Sequence, residues 1–179
     1  MRKIWGLLSL TTLILLLTSC SIEDSNMRKM FFARNDKQIA NERFETLIDA
    51  IQTHNSEAVK AVFSNNALRE VENIDSSIQE LFGYFQGNLL SYKAWAGPDV
   101  SAKKDNGNYW KSYDCTYDFE TSKDKYRLAM EIITVDTTDA DNIGIRSLYI
   151  IRFEDDTDQN CAYRGDGAYT PGINIGKTE

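Results

Sequence analysis

The first residue whose position suggests chemistry is Cys20, a thiol placed directly after an apolar N-terminal run. Arg2 and Lys3 precede this run, which covers the 14 residues 4–17 and leads into Thr18 and Ser19. The cations stay on the cytoplasmic side, the apolar run enters the bilayer, and small residues before the cut suit a signal peptidase. A membrane span needs about 20 apolar residues, so the run is too short for one. The pattern predicts a cleaved signal peptide, 1–19, and a diacylglyceryl group on Cys20.

This N-terminus predicts an extracytoplasmic protein that is anchored to the cell membrane by lipid. Two acyl chains hold a protein stably on a bilayer, whereas one does so only marginally. Residues 20–34 would then be the lipidated N-terminus and tether. Residues 35–179 would form one domain, because the 160 residues of the mature chain suit a single hydrophobic core.

The mature chain is acidic. Without Arg2 and Lys3 it carries 18 basic and 27 acidic residues, a net charge of −9. A negative body is repelled by phosphates and by anionic headgroups. We therefore expect no nucleic-acid partner, and a domain that stands off the membrane on its tether.

Two further thiols, Cys115 and Cys161, are candidates for a disulfide. An extracytoplasmic location permits the bond, which would stabilise the fold by about 4 kcal/mol in the chain-entropy model. The alternative is two separate thiols, with Cys115 buried in a strand. Pairing cannot be read from a sequence, so both alternatives stay open.

Other groups suited to catalysis or metal binding form no recognisable site. His54, the single histidine, ends the first predicted helix, where the helix dipole favours a cation. Asp136, Asp139 and Asp141 share a turn but lack the Gly and terminal Glu of a calcium loop, so a solvated hairpin connection is favoured. The sequence has no phosphate-binding Gly loop, zinc-ligand spacing or nucleophile elbow. We therefore expect no metal or other cofactor.

The elements that must position these groups fall into two halves. Apolar residues recur at helical spacing and predict three helices, at about 39–54, 56–63 and 75–86. After Gly87 the period changes to 2 and predicts strands at about 89–96, 100–104, 109–120, 126–135 and 143–153. Helices followed by an antiparallel meander indicate an α+β fold, with three N-terminal helices packed on one face of a curved antiparallel sheet.

The stretch 63–92 contains Phe63-Ser64-Asn65-Asn66-Ala67, Ile74-Asp75 and Tyr84-Phe85-Gln86-Gly87. It resembles a group of uncharacterised lipoproteins from Gram-positive bacteria, and the resemblance covers most of the mature chain. That group is similar to the nuclear transport factor 2-like fold, also called cystatin-like or SnoaL-like, which includes ketosteroid isomerase. The resemblance implies a cone with a pocket between the helices and the concave face of the sheet, and it leaves activity open.

Strand parity predicts which side chains reach such a pocket. The positions expected to point inward are Tyr113, Cys115, Tyr117 and Phe119, then Leu128, Met130 and Ile132, then Ile145, Ser147, Tyr149 and Ile151. An open pocket would be lined by Tyr84, Trp95, Tyr113, Tyr117, Ser147 and Tyr149. None of the inward strand positions is Asp, Glu or His, so hydrogen-bond donors without a base favour a binding cavity over a proton-transfer site. The alternative for the tyrosines is an ordinary core with satisfied hydroxyls.

The leading hypothesis is a non-enzymatic domain of the cell envelope that binds a small molecule or another envelope protein. One alternative is a small cofactor-free isomerase, dehydratase or hydrolase that uses a carboxylate from a helix or loop. Another is a structural component whose pocket is filled by its own side chains.

The outer face of the sheet suggests a homodimer. By parity it carries Ile133, Leu148 and Ile150 among charges of both signs, a composition that suits a two-fold interface. The alternative is a monomer whose long charged side chains shield these apolar residues.

Overall fold

The structure is a computed structural model that describes residues 25, 27–32, 35–156 and 170–176 of the 179-residue chain. The predicted signal peptide, the predicted lipidation site Cys20 and the disulfide candidate Cys161 lie outside these residues. None of the helices in the described part is both long and apolar enough to cross a membrane.

Four helices between residues 36 and 84 precede the sheet. They are α1, Asp36–Gln52; α2, Ser56–Val62; α3, Asn65–Glu70; and α4, Ile74–Tyr84. Asn55, Ser64 and Asn73 stand before α2, α3 and α4, and each side chain accepts a hydrogen bond from a backbone N–H of the first turn. The three predicted helices are therefore confirmed. The short helix α3 is an addition, in a stretch expected to end the second helix.

The sheet has five strands in the order of the chain. They are β1, Leu89–Asp105; β2, Asn108–Thr121; β3, Lys125–Asp136; β4, Gly144–Arg152; and β5, Gly172–Ile175. Strands β1 to β4 pair antiparallel, and β5 is parallel to β4. The two strands expected on either side of Gly97-Pro98 form the single strand β1, which crosses this point with register shifts. Such bulges increase the local twist and curve a sheet.

One face of the sheet packs against the helices and forms the main core. Phe44, Leu47 and Ile48 of α1 and Ile78 and Leu81 of α4 are buried there against side chains of β2, β3 and β4. The predicted α+β fold, with N-terminal helices on one face of an antiparallel sheet, is thus confirmed.

A bulge changes which side chains of β4 face the helices. Glu131 pairs with Ser147, yet the next residue, Ile132, pairs with Ile145, so Arg146 is an extra residue in β4. Because side chains alternate along a strand, one extra residue inverts every position beyond it. The parity predicted for β2 and β3 agrees with the core, and the parity predicted for the second half of β4 is wrong.

The bulge inverts the predicted facing of residues 147–152, including Ser147, which pairs with the outward Glu131, and Arg152, which pairs with the inward Tyr126. Leu148 and Ile150, expected on the outer face, are 0% and 1% exposed in the main core. Tyr149 and Ile151, expected inside, pack with Ala129 in a separate outer cluster.

The start of β4 lies against the helical layer at Gly144. The backbone N–H of Ser64 donates to the carbonyl of Ile145 at 2.9 Å, and Phe63 forms a parallel bridge with Ile145. Gly144 has φ +133°, and a Cβ on it would lie 2.5 Å from the nitrogen of Ser64. Only glycine fits this close approach without displacing the backbone.

The turn between β3 and β4 is held by its own side chains. Oδ1 of Asp136 accepts from the backbone N–H groups of Thr138, at 2.9 Å, and Asp139, at 3.1 Å. Its Oδ2 accepts from Asn142 at 3.0 Å. Burial alone would raise the pKa of Asp136, but these hydrogen bonds outweigh it and lower the pKa. Asp136 is buried rather than solvated, and no group of three or more His, Cys, Asp or Glu suited to a metal ion lies among the described residues.

Candidate functional site

The space between α1 and the sheet is filled by aromatic side chains. The ring of Phe44 stacks on Tyr117, with centroids 4.4 Å apart, and lies 4.7 Å from the ring of Tyr92 and 5.7 Å from that of Phe119. Phe44 is 0% exposed and Tyr117 is 1% exposed. Side chains of the chain itself therefore occupy the position where a ligand pocket was expected.

The aromatic packing continues toward the far end of the sheet. Phe119 stacks on Tyr126, with centroids 5.2 Å apart, and Phe85 stacks on Tyr126 at 5.5 Å. The hydroxyl of Tyr126 accepts from the backbone N–H of Gln86 at 2.8 Å and donates to the carbonyl of Tyr84 at 3.1 Å. A buried tyrosine usually needs such partners for its hydroxyl.

Three inward tyrosine hydroxyls bind polar side chains of α1. Tyr113 donates to Oδ1 of Asp36 at 2.7 Å, and Tyr117 donates to Oδ1 of Asn41 at 3.0 Å. Tyr92 donates to Oε1 of Glu45. We call these three contacts the α1 polar row. These contacts satisfy the three hydroxyls without a ligand. This agrees with the alternative prediction, in which the inward tyrosines belong to an ordinary core.

A buried lysine joins the first contact of the row. The ammonium of Lys111, whose side chain is 3% exposed, lies 2.5 Å from Oδ1 of Asp36. Burial alone would raise the pKa of Asp36, but the hydrogen bonds from Lys111 and Tyr113 outweigh it and lower the pKa. Burial, followed by the bond to Asp36, raises the pKa of Tyr113. Asp36 is thus held ionised and Tyr113 protonated, which suits an ion pair better than proton transfer at neutral pH.

The variant Asp36→Asn tests this ion pair through its dependence on pH. A lowered folded-state pKa stabilises the fold above the unfolded value of about 3.9, and the gain disappears as the pH falls through the folded value. We expect Asp36→Asn to lower the free energy of unfolding by about 2 kcal/mol at neutral pH, since bonds to charged groups contribute about that much. The difference from wild type should shrink as the pH falls below about 4.

Urea unfolding at neutral and acid pH measures both quantities. Asp49→Asn, on the exposed side of the same helix, controls for the loss of one negative charge. A difference between Asp36→Asn and wild type that does not change with pH would contradict the assignment.

Cys115 is a free, buried thiol among the described residues. Burial, and then the carboxylates of Asp114 and Asp99, raises the pKa of this thiol to about 12. Thiols react as thiolates, so Cys115 is not suited to act as a nucleophile. Its predicted partner Cys161 lies outside the described residues, so the disulfide stays a prediction.

The predicted pocket residues do not come together. Tyr113 and Tyr117 lie in the core, whereas Tyr149 lies on the outer face, as does Trp95 against Arg127. Ser147 is buried, and its hydroxyl donates to the carbonyl of Thr170 at 2.7 Å. The dispersion follows from the β4 bulge and from the long β1 strand, neither of which strand parity could anticipate.

Tyr84, also predicted for the pocket, lies at the end of α4. Its hydroxyl accepts from the backbone N–H of Arg152 at 2.8 Å and lies 3.1 Å from Oδ2 of Asp155. The guanidinium of Arg152 lies 4.6 Å from the centre of its ring. Burial is the main reason that the pKa of Tyr84 rises to about 12. Through the hydrogen bond from Arg152, Tyr84 therefore links the end of α4 to the end of β4.

The proposed dimer face is also altered. Ile133 is buried outside the main core, whereas Leu148 and Ile150 belong to that core and cannot contact a partner. A homodimer stays a prediction, but the face defined by these three residues is wrong.

The outer face carries a buried ion pair that sequence analysis missed. Arg127, 5% exposed, binds both carboxylate oxygens of Asp118 at 2.7 and 3.2 Å, and its Nη1 lies 3.3 Å from Asp156. Its guanidinium lies 4.3 Å from the ring centre of Trp95 and 5.2 Å from that of Phe153. We call these five residues the Arg127 cluster. Asp118 and Arg127 are opposite one another in the β2–β3 register. Pairing the two predicted strands as a hairpin would have identified this cross-strand pair of opposite charges.

A cleft of about 350 Å³ adjoins the Arg127 cluster. It is lined by Ser91, Tyr92, Lys93, Asp118, Phe119, Glu120, Lys125 and Phe153. Phe153, which lines the cleft, is 40% exposed. Leu90 and Trp95, which are close in sequence to the lining residues of β1, are 65% and 47% exposed. Aromatic residues and arginine are enriched at the centres of protein interfaces, so this surface is the best candidate for contact with a partner.

The architecture places the chain among α+β domains whose helices cover one face of an antiparallel sheet. The chain belongs to the family DUF5104, described as a domain of unknown function, whose model matches residues 46–153. The match begins within α1 and ends just beyond β4, so it covers most of the helical layer and the four antiparallel strands. A search among curated proteins found no match.

Proposed function

We propose that the chain is an extracytoplasmic lipoprotein, anchored to the cell membrane through Cys20, whose domain binds an envelope partner without catalysis. The signal-peptide pattern of residues 1–19 supports the anchor. The four helices on one face of a bulged antiparallel sheet support the nuclear transport factor 2-like cone for residues 35–179.

The filled interior is the observation that carries the non-catalytic proposal. Phe44, Tyr92, Tyr117 and Phe119 occupy the space between α1 and the sheet. The hydroxyls of the α1 polar row are bound to side chains of the protein itself. A ligand in this position would have to displace a well-packed core, which costs several kcal/mol. Binding is therefore assigned to the outer surface.

The outer surface favours an envelope protein as the partner. The cleft beside the Arg127 cluster combines exposed apolar side chains with charges of both signs, including Lys93 and Glu120. This mixture is typical of protein interfaces, in which an apolar centre is surrounded by a polar rim.

One observation favours the enzyme alternative. Asp36 is a helix carboxylate in contact with the inward hydroxyl of Tyr113, which is the pairing that an isomerase of this fold would need. The lowered pKa of Asp36 argues against this enzyme alternative, because a general base works best with a pKa near the operating pH. The ion pair with Lys111 indicates that Asp36 has a structural role instead.

Mass spectrometry of the protein extracted from its own membranes tests the proposal. We expect no small molecule to account for any difference between the native and denatured masses, because a filled interior holds none, whereas an added mass equal to a whole protein would be the proposed partner. The variant Phe44→Ala is the matched control, since it removes a ring from the same place and opens a cavity. A stoichiometric compound that wild type loses on denaturation would overturn the proposal and would identify a ligand or substrate.

A further inference from the structure

Two basic and aromatic segments meet at one end of the molecule. Residues 27–32 are helical, and the rings of Phe31 and Phe32 lie 5.0 and 6.1 Å from the ring of Tyr109 at the start of β2. The guanidinium of Arg28 lies 5.8 Å from the same ring, and the ammonium of Lys104 lies 5.6 Å from it. Tyr109 is 6% exposed, so it is the buried centre of this contact.

This end presents both cations and apolar side chains to solvent. Arg28, Lys29, Lys103 and Lys104 are exposed. Met30 is 36% exposed and Phe32 is 61% exposed. The ammonium of Lys103 lies 5.3 Å from the ring of Trp110. We call these seven residues the basic end.

The charge of the basic end is opposite to that of the protein as a whole. Four cations lie there, with the exposed carboxylate of Asp105 beside them at the hairpin tip, on a mature chain of net charge −9. The nearby carboxylate of Asp36 is bound to Lys111. Cations together with exposed aromatic and long apolar side chains are the composition of a surface that lies on anionic lipid headgroups.

The tether brings this end close to the bilayer. Met27 is the seventh residue after Cys20, and an extended chain of that length reaches only about 25 Å. The tether itself carries Glu23 and Asp24, so electrostatic attraction to the membrane has to come from the basic end.

We propose that the basic end lies on the anionic headgroups of the membrane that holds the lipid anchor. This inference rests on the proposed anchor at Cys20. The domain is then held against the bilayer in a fixed orientation, and does not stand off the membrane as its net charge alone predicts. The β1–β2 hairpin tip then faces the membrane, and the opposite end of the sheet, at the β2–β3 turn, faces away.

Fluorescence of the mature lipidated protein in vesicles tests the orientation. One set of vesicles contains phosphatidylglycerol and phosphatidylcholine, the other only phosphatidylcholine, and both contain a lipid with a nitroxide on its headgroup. We expect about twofold more quenching of Trp110 in the anionic vesicles, and we expect high salt to remove the difference because it screens exposed charges. Trp110→Phe identifies the share of the signal that comes from Trp110 rather than Trp95.

Two matched double variants distinguish the effect of the basic end on quenching from the effect of the net charge. Lys103→Gln with Lys104→Gln removes two of the four cations of the basic end and should reduce the extra quenching. Lys123→Gln with Lys125→Gln makes the same change in charge at the opposite end of the sheet and should leave the quenching as in wild type. Equal quenching of floated wild-type protein in the two kinds of vesicle would overturn the orientation. Mature protein that does not float with either kind would instead contradict the anchor.

Discussion

Replacing Phe44 by alanine should lower the free energy of unfolding by about 3–5 kcal/mol. Phe44 is fully buried and contacts the rings of Tyr92, Tyr117 and Phe119. The variant loses the burial of a phenyl ring and leaves a cavity that the surrounding sheet and helix can close only in part. Urea unfolding of the domain without its signal peptide, followed by circular dichroism, measures the loss.

Phe32→Ala is the control for Phe44→Ala, because the ring of Phe32 is 61% exposed. We expect the free energy of unfolding to change by less than about 1 kcal/mol in this control. The Phe44→Ala cavity should also bind a small apolar molecule such as benzene, which wild type should not bind. A loss of less than about 1 kcal/mol in Phe44→Ala would mean that the interior is not tightly filled.

The helical layer could be predicted because its signals are local. Ala40, Phe44, Leu47, Ile48 and Ile51 follow one face of α1 in the sequence, and all are buried in the structure. The helix bounds were less accurate where a cap was overlooked, since Ser64 starts a helix in a stretch that was expected only to end one.

The second half of β4 could not be predicted because its orientation depends on a bulge. Parity assumes strict alternation, and the extra residue at Arg146 appears only when β3 and β4 are paired. One inserted residue moved Tyr149 out of the expected pocket and placed Leu148 in the core. This bulge accounts for the error in the dimer face and, together with the long β1 strand that places Trp95 on the outer face, for the error in the pocket.

The α1 polar row depends on contacts between residues far apart in the chain. Asp36 and Lys111 are 75 residues apart, and no periodicity links them. Tyr113 and Tyr117 were correctly placed on the inner face, but the identity of their partners required the packing of α1 on β2. Sequence reasoning therefore identified the face and missed the interactions that fill it.

The anchor is the central claim of this account, and metabolic labelling with an alkynyl fatty acid tests it most directly. Cells that express the full chain, or its Cys20→Ala variant, are labelled, and the protein is isolated and coupled to a fluorophore. We predict strong label on wild type and none on Cys20→Ala, because lipidation of the Cys20 thiol must precede cleavage of residues 1–19. The variant should also keep its signal peptide or be released from the membrane, and Cys115→Ala, which changes a buried thiol, should be labelled like wild type. Equal label on wild type and Cys20→Ala, or no label on either, would contradict the account.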